Sequence, residues 1–255
     1  MKLAETRAIV SGGASGLGLA AAARIVAGGG QVVLLDINLA QGAAAVSMLG
    51  ARAAFVATDV TRETDVDAAV EQARARMGGI SAAINCAGIG TAARFVGRQG
   101  AMPAELFRKL IEVNLVGTAL VCKSAAVAMQ HNAPGTDGER GVIVMTASVA
   151  AFDGQIGQVA YAASKGAIVA MTLPMARELA SSGIRVVTIA PGVFLTPMVA
   201  SMSPEMQQSL GSQVPFPPRL GRPEEYASLV AQIVENPMLN GETIRLDGAI
   251  RMQPR

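Results

Sequence analysis

The chain has 255 residues, of which 51% are hydrophobic and 16% charged, and its formal net charge is +2. This composition excludes a disordered chain, and the small, scattered charge argues against a nucleic-acid partner. No uninterrupted apolar run approaches the roughly 20 residues that span a bilayer, and no secretory signal pattern is present, so we expect no membrane partner and a cytoplasmic location.

Short apolar segments alternate with helical patterns along the chain. The apolar segments predict seven strands, at residues 7–10, 31–35, 53–57, 82–84, 142–145, 185–189 and 242–246. Helices are predicted at residues 17–27, 41–49, 104–129 and 158–180, and another is expected to start after Thr61 as its cap. Strands that are apolar on both faces and joined by helices form parallel sheets with right-handed crossovers. We therefore predict an α/β fold with a doubly wound, parallel, seven-stranded sheet, a Rossmann-type three-layer sandwich in a single domain.

Three irregular stretches interrupt this alternation. Residues 90–103 and 131–140 are longer than usual connections and are expected to shape a pocket or an interface. Residues 196–218 contain five prolines together with Met198, Met202 and Met206, which favours a mobile apolar flap over a substrate. The alternative is a pair of surface helices whose methionines fill the core.

The first predicted strand runs into a turn with Gly12, Gly16 and Gly18 in a G-x-x-x-G-x-G spacing. Glycines permit a tight turn and let a pyrophosphate approach the main chain at a helix N-terminus. A dinucleotide-binding turn is one interpretation, and an ordinary tight turn is the other.

Two aspartates end the next two predicted strands. Asp36 lies about 20 residues after the glycine turn, where a carboxylate can accept hydrogen bonds from both hydroxyls of an adenosine ribose. Because Asp36 would repel a 2′-phosphate, the sequence favours NAD over NADP, although a turn or cap role is the alternative. Asp59 is a candidate for binding the adenine amino group or for capping the following helix.

A tyrosine and a lysine lie on one face of the last predicted helix. Tyr161 and Lys165 are four positions apart, and Ser148 follows the fifth predicted strand. The ammonium and the positive nicotinamide of bound NAD⁺ are expected to lower the pKa of the phenol, and the serine hydroxyl can hold a substrate oxygen. The spacing alone fits an ordinary amphipathic helix, but its conjunction with the glycine turn and Asp36 favours an alcohol dehydrogenase. The single histidine, His131, lies in a polar stretch and is interpreted as a bystander, so no metal site is expected.

These features resemble the short-chain dehydrogenase/reductase family along nearly the whole chain. In the segment Asn85-Cys86-Ala87-Gly88 a cysteine replaces the family's second asparagine, and Asn114 matches an asparagine that helps to hold a water linked to the lysine. The resemblance implies catalytic roles for Ser148, Tyr161, Lys165 and Asn114, and substrate contacts from Ser148, Gln158 and Tyr161. It implies cofactor contacts from Gly12, Ser15, Gly16, Leu17, Gly18, Asp36, Asp59, Val60, Cys86, Ala87, Gly88, Tyr161, Lys165, Pro191, Phe194 and Thr196.

Segments at residues 146–152, 212–217, 219–221 and 240–254 resemble one branch of the family more closely. That branch oxidises 3-hydroxyacyl-CoA thioesters with NAD as homotetramers, with some tolerance for steroid alcohols. The resemblance therefore implies a homotetrameric, NAD-dependent enzyme that interconverts 3-hydroxyacyl-CoA, or a similarly apolar secondary alcohol, and the corresponding ketone. The alternatives are a 3-oxoacyl-carrier-protein reductase, a hydroxysteroid dehydrogenase and, in another class, a non-catalytic NAD-binding scaffold subunit.

Overall fold

The computed structural model describes residues 1–98, 100–200 and 202–254. Gln99, Ser201 and Arg255, and the side chain of Met198, lie outside the described residues. Gln99 belongs to the irregular stretch 90–103, and Ser201 and Met198 belong to the predicted flap, so these parts of the two predictions lie outside the described residues.

The strands form one large sheet and one small ladder. They are β1 Arg7–Ser11, β2 Gln31–Asp36, β3 Ala53–Ala57, β4 Ala82–Asn85, β5 Val96–Gly97, β6 Gly100–Ala101, β7 Gly141–Thr146, β8 Ile184–Pro191 and β9 Thr243–Leu246. Seven of them pair in the order β3-β2-β1-β4-β7-β8-β9, all in parallel, while β5 and β6 pair antiparallel. The predicted doubly wound, seven-stranded parallel sheet is confirmed. The first and last residues of each predicted strand lie within two residues of those of the observed strand.

Helices cover both faces of this sheet. They are α1 Gly16–Ala27, α2 Leu39–Leu49, α3 Glu63–Met77, α4 Ala104–Ile111, α5 Gly117–Gln130, α6 Val159–Leu179, α7 Pro197–Ala200, α8 Pro204–Ser212 and α9 Pro223–Glu235. Alternate residues of β7 show the layering: Ile143 and Met145 pack with α3, α5 and α6, whereas Val142 and Val144 pack with α1 and α9. The central strands β1, β4, β7 and β8 are buried on both faces along most of their length, which explains why their sequences are mostly apolar.

The helix α9 was missed by the sequence analysis. It begins with Pro223 in its first turn, followed by Glu224 and Glu225, and the Glu225 carboxylate accepts a hydrogen bond from the main-chain N–H of Arg222 at 2.8 Å. These are ordinary helix-start signals. The helix buries Tyr226, Ala227, Val230, Ala231, Ile233 and Val234 against the sheet and α1.

The predicted helix 104–129 is one continuous helix with an irregular centre. A π-helical segment, Glu112–Val116, joins α4 to α5. The helical stretches Ala104–Gln130 and Val159–Ser182 are long and apolar enough to cross a membrane, although neither contains an unbroken apolar run of that length. Both supply residues to the buried core beside the sheet, as the core helices of globular proteins do.

The two longer irregular stretches lie at opposite edges of the sheet. Residues 90–103 follow β4 at the carboxyl edge, and the N–H of Ala93 donates to the carbonyl of Gly157 at 2.9 Å. Residues 131–140 lead into the start of β7 at the amino edge, so a role for them in a pocket at the carboxyl edge is wrong. Their suggested role at an interface stays a prediction.

The predicted flap contains the helices α7 and α8. The Met206 side chain on α8 is 56% exposed, so the alternative in which the methionines fill the core is wrong for this residue. Phe216 is more exposed still, and both apolar side chains face solvent. The movement of this segment stays a prediction.

Candidate active site

The sequence-predicted residues meet at the carboxyl edge of the sheet. Because the seven strands are parallel, their carboxyl ends lie side by side, and ligands of open α/β sheets bind there. The glycine turn follows β1, Asp36 ends β2, and Ser148 follows β7. Pro191 ends β8, and its neighbour Gly192 donates to the carbonyl of Leu246 on β9 at 2.9 Å.

The glycine turn is built so tightly that side chains would not fit. Gly12 has a φ of +63°, and a Cβ there would lie 2.7 Å from the main-chain nitrogen of Ala87. A Cβ on Gly18 would overlap the carbonyl oxygen of Gly12. Gly16 has a φ of +54°, and a Cβ there would lie 3.3 Å from Pro197 and 3.8 Å from Thr196. Residues 86–88 and the start of the flap therefore enclose the turn, which fits a bound pyrophosphate.

The carboxylate of Asp36 borders this turn. Its Oδ2 accepts a hydrogen bond from the main-chain N–H of Ala14 at 3.2 Å, and its Oδ1 accepts one from Asn38 at 3.0 Å. The cap of α2 is Asn38, whose side chain accepts from Gln41, so the cap interpretation of Asp36 is wrong. Its turn interpretation is correct, and the same position suits an adenosine ribose.

Asp59 is held within its own turn. Its Oδ1 accepts hydrogen bonds from the Thr61 hydroxyl at 2.7 Å and the Thr61 N–H at 3.0 Å, and the hydroxyl bond is the main reason why the pKa of Asp59 is lowered. Neither residue caps α3, because Arg62 occupies the cap position. The predictions of a cap at Thr61 and, alternatively, at Asp59 are therefore wrong. Val60 is buried, and a Cβ on Gly117 of α5 would lie 2.8 Å from its side chain.

The first turn of α1 and the segment after β8 complete the set of predicted cofactor residues. Ser15 precedes α1 with extended backbone angles, and Leu17 packs at the edge of the core beneath the turn. The ring of Phe194 is 6% exposed and lies where a Cβ on Gly221 would touch it. The Phe194 side chain therefore belongs to the core. The cofactor contact implied for this residue stays a prediction.

Lys165 and Tyr161 are brought together as the spacing predicts. Lys165 is 6% exposed. Its ammonium donates to the main-chain oxygen of Thr146 at 2.8 Å and lies 5.9 Å from the centre of the Tyr161 ring. The Ser148 hydroxyl accepts a hydrogen bond from the N–H of Ala150 at 3.1 Å, which fixes its direction at the start of a 3₁₀ turn. The Tyr161 hydroxyl is hydrogen-bonded to Ser148, so the three side chains form one group.

Without cofactor the pKa of Tyr161 is raised, and the lowering expected with the positive nicotinamide bound stays a prediction. Burial raises the pKa of Tyr161, and the hydrogen bond with Ser148 offsets this only in part. Burial also lowers the pKa of Lys165, from 10.5 to about 8, because the buried ammonium loses its hydration. The lysine is thus still charged at neutral pH.

Asn114 lies in the π-helical segment and joins three parts of the site. Its side chain accepts from the N–H of Ile89 at 2.8 Å and donates to the carbonyl of Ile89 and to the Ser164 hydroxyl. Ser164 in turn donates to the carbonyl of Tyr161 at 2.7 Å. A Cβ on Gly88 would lie 3.2 Å from the Asn114 oxygen and 3.6 Å from the Lys165 ammonium. The asparagine is therefore beside the lysine, as the resemblance implies.

The Cys86 side chain points into the core, away from the turn that its main chain helps to enclose. Its sulfur lies 3.4 Å from the Tyr226 hydroxyl and 3.6 Å from that of Thr146, and these two hydroxyls are 2.7 Å apart. Burial raises the pKa of the Cys86 thiol. Sequence analysis missed Thr146 and Tyr226 because it assigned no helix around residue 226.

Gln158 immediately precedes α6, and its side-chain oxygen accepts from the N–H of Gln155 at 3.0 Å. This bond supports the segment before Tyr161. The substrate contact implied for Gln158 stays a prediction.

Comparison with known proteins agrees with this geometry. A family model described as short chain dehydrogenase matches residues 6–207, so the chain belongs to the short-chain dehydrogenase family and is an oxidoreductase. It is 53% identical over 249 residues to 3-hydroxyacyl-CoA dehydrogenase type-2 of Bos taurus, covering 97% of this chain and 95% of that protein. A crystal structure of 3-hydroxyacyl-CoA dehydrogenase type-2 from Mycobacterium avium has a TM-score of 0.92 and 44% identity, with 97% and 96% of the two chains covered. A 3-ketoacyl-(acyl-carrier-protein) reductase from Brucella melitensis complexed with NADH has a TM-score of 0.85 and 28% identity, with 96% and 98% covered.

Proposed function

We propose that this oxidoreductase interconverts 3-hydroxyacyl-CoA and 3-oxoacyl-CoA with a nicotinamide cofactor, and that the cofactor is NAD(H). The observation that carries the proposal is the grouping of Ser148, Tyr161 and Lys165 beside the glycine turn at one edge of the sheet. The similarity to 3-hydroxyacyl-CoA dehydrogenase type-2 along 97% of the chain supports the choice of substrate.

The chain's own groups have distinct tasks in this reaction. When bound, the nicotinamide ring accepts or supplies the hydride. The Tyr161 hydroxyl exchanges a proton with the substrate oxygen, and the Ser148 hydroxyl donates a hydrogen bond that holds this oxygen in place. The Lys165 ammonium supplies a positive charge beside the phenol. Because Lys165 is buried, its charge acts in surroundings of low dielectric constant.

Asp36 supports NAD(H) over NADP(H). Its carboxylate ends β2 at the rim of the glycine turn, where it would accept hydrogen bonds from two ribose hydroxyls but repel a 2′-phosphate. The Brucella melitensis reductase, whose structure holds NADH, has the same fold.

A second candidate is the reduction of 3-oxoacyl groups on acyl-carrier protein, because the NADH complex that the chain resembles is such a reductase. A hydroxysteroid dehydrogenase is a further alternative from the sequence. The non-catalytic scaffold hypothesis is not retained, because the family is one of oxidoreductases.

Cofactor oxidation measured by absorbance with acetoacetyl-CoA, acetoacetyl-carrier protein and a steroid ketone distinguishes these activities. We expect the highest kcat/KM for acetoacetyl-CoA with NADH. A higher value for the carrier-protein substrate, or for NADPH with any substrate, would contradict the proposal.

We further propose a homotetramer in the cytoplasm, with residues 196–218 acting as a flap in a single-domain subunit. Light scattering tests the assembly, and fractionation of the source cells tests the location. A monomeric mass would contradict the homotetramer.

A further inference from the structure

The segment between Ser148 and Tyr161 carries both groups of the proposed reaction, yet it has little regular structure of its own. It contains one 3₁₀ turn, Val149–Ala151, and then runs irregularly to the start of α6 at Val159. Phe152 and Ile156 in this segment are 48% and 49% exposed, so apolar burial does little to hold them. Val149 and Ala150 are buried at the start of the segment, so polar contacts have to hold its remaining part, residues 152–158.

Arg245 on β9 holds this segment from one side. Its guanidinium forms an ion pair with Asp153, and it lies 5.1 Å from the centre of the Phe152 ring. The Arg245 and Asp153 side chains are 21% and 19% exposed, so water screens the pair less than it screens a surface ion pair. The hydrogen bond with Asp153 is also the main reason why the pKa of Arg245 is raised.

The same guanidinium holds the C-terminal tail, residues 247–254. It donates to the Asp247 carboxylate at 2.7 Å and to the carbonyl of Ile250 at 3.0 Å. The Arg245 guanidinium therefore donates to three acceptors: the carboxylate of Asp153 in the segment, and the carboxylate of Asp247 and the carbonyl of Ile250 in the tail. Its planar group of N–H donors keeps these acceptors in fixed directions.

The tail then returns to the segment and contacts it directly. The N–H of Ile156 donates to the carbonyl of Pro254 at 3.0 Å, and the Gln155 side chain donates to the carbonyl of Gln253 at 2.9 Å. The N–H of Gln155 also donates to the side chain of Gln158, the residue before α6. A continuous set of hydrogen bonds therefore runs from the tail to the helix turn that carries Tyr161.

We propose that Arg245 is a positioning residue: it ties the C-terminal tail to residues 149–158 and so fixes the spacing between Ser148 and Tyr161 at the reacting carbon of the acyl-CoA. This inference rests on the proposed function. Arg245 acts through Asp153 and the tail, and the glycine turn and Asp36 are bonded to other residues. Its loss should therefore affect the chemical step and acyl-CoA binding but not the binding of NADH.

Arg245→Met tests this, with Arg251→Met as the matched control. Arg251 contacts the same Asp247 carboxylate and the same Ile250 carbonyl, but its side chain is 61% exposed and its hydrogen bonds do not extend to residues 149–158 in the described structure. We expect Arg245→Met to lower kcat/KM for acetoacetyl-CoA about 10- to 100-fold, since small misplacements of reacting groups have effects of this size. The dissociation constant of NADH should stay within about twofold of the wild-type value, and Arg251→Met should resemble the wild type. Arg245→Lys, which keeps one charge, should recover part of the loss.

Hydrogen exchange of the cofactor-free protein provides a measurement that does not depend on activity. Exchange of amides at 150–158 should increase in Arg245→Met and remain as in the wild type in Arg251→Met. Equal kinetics in the two variants, unchanged exchange at 150–158, or a parallel loss of NADH affinity would each overturn the inference. If the wild type reduces no acyl-CoA, the proposed function fails, while the exchange measurement still decides whether Arg245 ties the segment to the tail.

Discussion

The ammonium nitrogen of Lys165 lies 5.9 Å from the centre of the Tyr161 ring. It donates instead to the end of β7, at the carbonyl of Thr146, and it is almost fully buried. In this arrangement burial raises the pKa of the phenol and lowers that of the ammonium. The two residues are therefore close enough to cooperate, but the protein without cofactor holds the phenol protonated at neutral pH.

Tyr161→Phe removes the hydroxyl that exchanges the proton and keeps the ring. We expect kcat to fall by roughly 10³-fold or more, because general acid–base catalysis contributes factors of this order. Binding of NADH, measured by fluorescence titration, should change by less than about twofold. Retention of most of the turnover would remove Tyr161 from the proton-transfer role.

Lys165→Met should stabilise the fold at neutral pH while abolishing activity. The folded-state pKa of Lys165 is about 8 and its ordinary value is 10.5, so burial of the charged form costs roughly 3 kcal/mol below pH 8. Loss of the bond to Thr146 offsets about 1 kcal/mol of the gain. We expect the free energy of unfolding in urea to rise by about 2 kcal/mol at pH 7.

The gain should depend on pH in a defined direction. Between pH 8 and 10.5 the unfolded wild-type chain binds more protons at Lys165 than the folded chain does, so wild-type stability rises with pH in this interval. The advantage of Lys165→Met should therefore shrink across it. Lys109→Met, at an exposed position of α4, serves as the control and should show no such trend. A constant advantage at all pH values would contradict the buried-charge explanation.

Asp36→Asn should relax the preference for NAD(H). The amide oxygen can still accept from the N–H of Ala14 at the glycine turn, while the amide nitrogen cannot accept from Asn38 and the negative charge that repels a 2′-phosphate is gone. We expect kcat/KM with NADH to fall about 10-fold and that with NADPH to rise, since hydrogen bonds to charged groups contribute ~1.5–3 kcal/mol. An unchanged ratio of the two cofactors would separate Asp36 from the ribose site.

Gly12→Ala should weaken both folding and NADH binding. The new Cβ would lie 2.7 Å from the main-chain nitrogen of Ala87, and the φ of +63° is unfavourable for alanine. We expect a loss of about 2 kcal/mol or more in the free energy of unfolding. Gly166→Ala in α6 is the control, because its Cβ meets no described atom within 4 Å and alanine favours helices, so stability should stay equal or rise. Equal effects of the two substitutions would show that the tightness of the turn is not what requires glycine.

The sequence predicts the sheet and the position of the site better than it predicts the contacts inside the site. Strands buried on both faces carry an unmistakable apolar signal, and the glycine turn, Asp36 and Tyr161 follow from local spacing. The cap at Thr61 was predicted wrongly because its hydroxyl bonds to Asp59, and local sequence does not distinguish these two partners. The pKa of Tyr161 depends on burial, which is set by the packing of distant elements.

Contacts between distant residues leave even less trace in the sequence. Tyr226 reaches Thr146 across 80 positions, and Arg245 reaches Asp153 across 92. No periodicity or motif links such pairs. These contacts become visible only when β7, β9 and α9 are placed side by side, which is why the candidate positioning residue was found from the structure alone.

The π-helical segment Glu112–Val116 joins α4 and α5 into one continuous helix. It also changes the direction in which the side chains of α4 point relative to those of α5. An α-helix rotates by about 100° per residue, so the extra residue of a π turn lets α4 face α6 while α5 faces α3. Deleting a single residue from this segment would convert it into regular α-helix. It would rotate α4 and the loop before it by about 100° around the helix axis relative to α5. Apart from changes at Asn114, whose side chain the site requires, substitutions there leave the phase intact, so this stretch should tolerate substitutions better than insertions or deletions.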